Sequence, residues 1–169
     1  MKQQIDFLFA YNGWASALLW QAINQLNDEQ WSAGQSYSVG SVCDHIIHVI
    51  YASKRWLTMM QGRKVRDPLV PSDFPHIKDA EARWIRDWTM INQYVAGLND
   101  AGLEEEIEWG PTSRGYQGST PRWQILNHMA NHAMDHRSQI LMVLNTQFGI
   151  KTPEQDMIFY IDALSKAEN

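Results

Sequence analysis

The sequence predicts an all-α protein, a bundle of four long helices with a short fifth near the C-terminus. Three observations carry that prediction. Apolar residues recur at spacings of three and four along four long stretches, the period of an amphipathic helix. Glycine and proline gather between those stretches more than inside them. The chain has 169 residues, 44% of them hydrophobic, with eight tryptophans, which is enough to bury a substantial core within one domain spanning 1–169. No internal repeat or low-complexity run interrupts it.

The first helix is expected from Lys2 to about Leu26, with Phe7, Leu8, Tyr11, Trp14, Ala15, Leu18, Leu19, Ala22 and Ile23 recurring at helical spacing. Gly13 interrupts it at a cost of roughly 1 kcal/mol relative to alanine. Close packing against a neighbour would explain the glycine; an ordinary weak spot would serve equally. Asn27-Asp28-Glu29-Gln30 reads as a polar break. Ser41 is a candidate N-cap with Asp44 three residues on, where the acid of a capping box stands, and a second helix follows from Val42 to Met60.

Gly62, Pro68, Pro71 and Pro75 make the stretch from Gln61 to Lys78 a long irregular connection, a surface loop or a cover for a pocket. Ala80 to Leu98 reads as the third helix, with Ala82, Ile85, Trp88, Ile91, Val95 and Leu98 on its apolar side. Gly110-Pro111-Thr112-Ser113, flanked by Glu104–Trp109 and Gly115–Gly118, suggests a turn within a small hairpin before the fourth helix. Thr120 before Pro121 reads as a cap for that helix, which runs to Phe148 and ends at Gly149. A short fifth helix from Asp156 to Ser165 carries Met157, Tyr160, Ile161 and Leu164 on its apolar side.

Charge narrows the function. A net charge of -5 argues against nucleic acid as a partner, since such proteins present a basic excess or stripe. The single cysteine, Cys43, cannot form an intramolecular disulfide. Met1–Asp6 does not read as a signal peptide, and no stretch approaches the ~20 apolar residues that span a bilayer. The expectation is a soluble, cytoplasmic protein with no membrane partner.

The chemistry gathers on the fourth helix, where His128, His132 and His136 stand four apart and therefore on one face. Neutral imidazole is a good ligand for Zn, Cu, Fe or Ni. A His-x-x-x-His pair also arises in structural roles, and a third ligand must come from elsewhere. The second helix offers His45 or His48, which point in different directions, so at most one is expected to meet a central site. Three protein ligands would leave an open position, the catalytic arrangement. His76 has no helical partner and receives no role.

Other sites are excluded by spacing. Ala133 stands where the general base of a His-Glu-x-x-His metalloprotease would be, and no Glu-x-x-His of a di-iron bundle occurs. No Gly-x-Ser-x-Gly motif or phosphate-binding glycine loop is present, and Cys43 in an amphipathic helix reads as packing.

Tyr11-Asn12-Gly13-Trp14-Ala15, Ser41 to Val49, His128 to Ile140 and Asp156 to Tyr160 resemble, in order, segments of the DinB family within the DinB/YfiT-like metalloprotein superfamily. The resemblance spans nearly the whole chain. It implies a four-helix bundle, often a homodimer, whose three histidines hold a divalent metal ion, commonly nickel or zinc. Carried onto this sequence, the ligands are His48, His132 and His136, with His45 and His128 in supporting positions. Ser138 departs from the glycine usual after His-Arg and puts the local helix contact in doubt. The resemblance further implies a metal-dependent enzyme acting on a small molecule, as a hydrolase or a low-molecular-weight thiol transferase. The alternative is a non-catalytic, stress- or damage-inducible metal-binding dimer. Asp44, Asp135 and Arg137 are the nearest charged candidates and read as surface or supporting groups.

Overall fold

The structure, a computed structural model, describes residues 1–64, 68–112 and 114–167. Val65–Asp67 of the expected connection, Ser113 of the expected turn, and Glu168 and Asn169 lie outside the described residues. The described residues are mostly helical: α1 (Lys2–Ile23), α2 (Asp28–Trp31), α3 (Val42–Met60), α4 (Ile77–Ala96), α5 (Asp100–Glu104), α6 (Arg122–Phe148) and α7 (Met157–Ala167). Strands β1 (Glu106–Trp109) and β2 (Gly118–Pro121) form one antiparallel hairpin, with Glu106 opposite Pro121 and Trp109 opposite Gly118. Among the described residues no helix is long and apolar enough to cross a membrane.

Helices α1 and α3 each lie against both α4 and α6, so the four long helices enclose a shared interior. Two apolar clusters fill it. One gathers Leu19, Ile23, Trp31, Ile46, Ile50 and Leu144; the other gathers Phe9, Leu57, Ile91, Leu103, Leu126 and Met129. Trp88 packs against both. Gly13 is explained by this packing: a Cβ there would stand 3.2 Å from Trp88 Nε1, tighter than a side chain ordinarily tolerates.

The ends of α3 match the sequence reading. Ser41 Oγ accepts from the Asp44 amide at 3.1 Å, and Asp44 Oδ2 accepts from the Ser41 amide at 2.7 Å, a reciprocal cap. At the end of α6, Gly149 is left-handed with φ 65°, as expected of a helix-terminating glycine.

Elsewhere the structure corrects the expectation. Asn27–Gln30 is not a break but the start of α2, closed by a reciprocal Asn27–Gln30 cap, and it delivers Trp31 to the core with 0% exposure. α4 begins at Ile77 and ends at Ala96, and its buried side is Ala80, Trp84, Asp87, Ile91 and Val95, whereas Ala82 and Ile85 face solvent. The buried Asp87 confuses the apolar pattern; it accepts from Arg83 Nε at 2.7 Å. Thr120 does not cap α6. It belongs to β2, which runs directly into the helix, and the Arg122 amide donates to Glu105 O instead.

The connection before α4 forms a short 3₁₀ turn at Pro71–Asp73. Phe74 behind it is 9% exposed within the first cluster, and its carbonyl accepts Trp31 Nε1–H at 3.0 Å. α7 rests on α1 through Tyr160, whose ring lies 5.6 Å from those of Phe7 and Trp14. None of the described residues of α7 is buried, and of its expected apolar side only Tyr160 is partly covered, while Met157, Ile161 and Leu164 are exposed.

Candidate metal centre

Helices α3 and α6 supply the site. On α6 the four-residue repeat stacks His128, His132 and His136 turn upon turn, with ring centroids 5.7 Å and 4.6 Å apart in succession. From α3, His48 closes a nearly equilateral triangle: its ring centroid is 5.0 Å from that of His132 and 4.7 Å from that of His136. One ring nitrogen from each of the three lies within 4.8 Å of the others. His48 is exposed, His132 half-buried and His136 buried, so the triangle opens to solvent on one side.

The donor set fits a divalent transition ion. Two imidazoles bound at about 2.0 to 2.1 Å in tetrahedral geometry hold their nitrogens roughly 3.3 Å apart. His48 Nε2 and His132 Nε2 are 3.1 Å apart. His45 Nδ1 lies 2.8 Å from His136 Nδ1, which occupies that nitrogen of His136 and leaves Nε2 as its free donor. Of the two histidines of α3, His48 belongs to the triangle and His45 stands behind it, against His136. His45 is 1% exposed, and a hydrogen bond on the far nitrogen of a ligating imidazole fixes its tautomer and orientation.

Electrostatics keep the rings neutral, the form that binds metal. Burial, then the charges His136, His48 and His128 would carry, bring the His132 pKa down from 6.5 to about 4. Burial, then His48 and His45, bring His136 to about 4 as well. His45, His48 and His128 are also lowered, in each case chiefly by burial. Asp135 opposes the shift at His45, His132 and His136 without reversing it.

The remaining candidates find other places. Of the two places expected for Arg137, surface or supporting, it takes the second: it is buried and locks the rotation of α6 beside His136. Its Nη1 donates to Asn12 Oδ1 at 3.0 Å and its Nη2 to Tyr11 OH at 3.3 Å, while Tyr11 OH donates to Gln155 O at 2.8 Å. Ser138 is exposed and its hydroxyl donates back to Met134 O, so it spreads no helix contact. Asp44 caps α3. His76 stands apart from the triangle and pairs with Asp28 at 2.9 Å. Burial and the charge of Asp44 push the Cys43 thiol up to about 12, which removes it as a nucleophile near neutral pH.

The sequence reading allowed His45 and Arg137 supporting places but did not find their partners, His136 for the first and Asn12 with Tyr11 for the second. The signal for the second was present at helical spacing, where Arg137 falls among Ala133, Met134, Ile140 and Leu141 and Asn12 among Leu8, Phe9 and Ala15.

A family model described as the DinB family matches residues 1–168. No curated protein matches the chain.

Proposed function

The chain belongs to the DinB family, and from that premise we propose that it holds a divalent ion through His48, His132 and His136 and acts as a metal-dependent enzyme on a small molecule. The triangle of imidazoles is the observation that carries this reading, because three neutral nitrogens converge there with no carboxylate among them. All-imidazole ligation favours nickel or zinc over magnesium or calcium. A divalent ion so held supplies a Lewis acid to a substrate oxygen or sulfur. Around it, His45 fixes the His136 ring, Arg137 fixes the helix that carries two ligands, and the exposed side at His48 admits substrate. Hydrolysis and transfer of a low-molecular-weight thiol are the two reactions this reading embraces. The four long helices are, in the same reading, the family's four-helix bundle in a single domain, working in the cytoplasm without nucleic acid.

A second reading, a non-catalytic metal-binding homodimer, is favoured by α7. Its Ile158, Phe159, Ile161 and Leu164 stay 41 to 62% exposed, an apolar surface suited to a second copy. Turnover separates the two readings. Protein purified without added metal is analysed for its ion, then assayed for conjugation of bacillithiol, glutathione or mycothiol and for hydrolysis of small esters and amides, beside the His132→Ala variant. Turnover lost with His132→Ala supports the enzyme. A metal-replete protein that neither turns over nor binds any thiol contradicts it.

A further inference from the structure

A cavity of about 450 Å³ opens beside the histidine ladder, walled by Trp56 of α3, Trp109 of β1, Tyr116 of the hairpin loop and His128 of α6. Its volume suits a small organic molecule. Trp56 meets His128 edge-on at 5.2 Å and Trp109 at 6.2 Å. His128 in turn lies 5.7 Å from His132. A continuous run of rings therefore leads from the candidate metal centre to the hairpin. Among the described residues no carboxylate, ammonium or guanidinium lines this cavity. A larger cavity of about 750 Å³ is lined by Arg63, Glu106 and Glu108 among others and, among the described residues, by no histidine.

The wall is built rather than incidental. Arg55 Nη2 donates to Pro111 O at 2.6 Å, tying the hairpin loop to α3. The Thr112 amide donates to Tyr116 O at 2.8 Å and the Tyr116 amide donates to Thr112 Oγ1 at 3.0 Å, which holds Tyr116 at the rim. Among the described residues the Trp109 indole N–H is buried without an acceptor. Tyr116 is 65% exposed, far more than a ring needed for the core.

We propose that this cavity seats an uncharged aromatic portion of the substrate, one ring away from the histidine triangle at which its reacting atom would sit. Aromatic walls favour a planar apolar ring through edge-to-face and offset stacking, and the lack of charged groups selects against a charged one. The inference rests on the enzyme reading above and adds the class of substrate to it.

N-phenyl-1-naphthylamine, an uncharged aromatic fluorophore, tests the cavity directly. It is titrated into the full chain, into Tyr116→Ala, which removes an exposed wall, into Gln124→Trp, which fills the cavity from an exposed position on α6, and into His48→Ala. Nickel and zinc content are measured on the same samples. Saturable binding is expected, weakened about tenfold by Tyr116→Ala, the order expected for one lost ring contact, and more by Gln124→Trp. His48→Ala should lose the bound ion and keep the probe. Absent saturable binding, or equal affinity in the wild type and Tyr116→Ala, would overturn the cavity assignment whatever the metal content. Nickel or zinc retained by His48→Ala at the wild-type level, with the probe seated as expected, would overturn the metal reading and leave the cavity assignment standing.

Discussion

Acid should destabilise the metal-free protein well above the range in which carboxylates titrate, and the histidine cluster sets by how much. The His136 pKa falls from 6.5 to about 4 on folding. Between those values the unfolded chain binds a proton that the folded chain refuses, so stability rises with pH and is lost as pH falls, fully so below about 4. From pH 7.5 to 5 one such histidine removes about 2 kcal/mol. For a chain of this length that lowers Tm by roughly 4 to 8 °C. His132, lowered to about 4 by the same causes, adds to the loss in the same direction. Urea denaturation of chelator-treated protein, followed by tryptophan fluorescence at steps of pH, reads the effect. His136→Asn should flatten the profile, partly through relaxation of His132, whose shift His136 helps to cause. A midpoint that stays level from pH 7.5 to 5, or rises as pH falls, would refute the neutral buried cluster.

Other outcomes follow from the same contacts. By NMR, His76 should titrate above 6.5, because Asp28 stabilises its charged form, while His132 and His136 titrate near 4; a common pKa for all three would contradict the electrostatics. Gly13→Ala should not yield the ~1 kcal/mol that helix propensity offers, because its Cβ meets Trp88 at 3.2 Å; a Tm raised by several degrees would show that Trp88 yields freely. Arg137→Met should cost about 2 to 4 kcal/mol by urea denaturation, having removed the charge-assisted bonds to Asn12 and Tyr11, and a change within 0.5 kcal/mol, about that of a surface substitution, would show that the lock is idle. Asp44→Ala should cost about 1 kcal/mol through the cap of α3, with the content of bound divalent metal unchanged; loss of the ion would give Asp44 a role it lacks here.

The parts legible in the sequence were those governed by local rules. The Ser41–Asp44 cap fixes the start of α3, Gly149 fixes the end of α6, and the four-residue repeat puts His128, His132 and His136 on one face. What tertiary contact decides was read less well. The buried side of α4 was misjudged because Asp87, a charged residue, points inward with Arg83, while Ile85 is 58% exposed. Helix α1 is apolar on more than one side because Phe7, Tyr11 and Trp14 meet Tyr160 of α7 while Phe9 and Leu19 serve the core. His45 looked divergent from His48 by helical spacing, yet the closeness of α3 to α6 brings it to the far nitrogen of His136. No single-chain pattern encodes that distance. Asn27 and Gln30 did carry the signature of α2, a cap residue with glutamine three positions on, and were passed over among polar neighbours.

The central claim is that three imidazoles from two helices hold one ion, and metal analysis of purified variants tests it most directly. Wild-type protein and His76→Ala should each carry about one divalent ion per chain, while His48→Ala, His132→Ala and His136→Ala should carry little or none. Equal metal content in all of them would contradict the assignment.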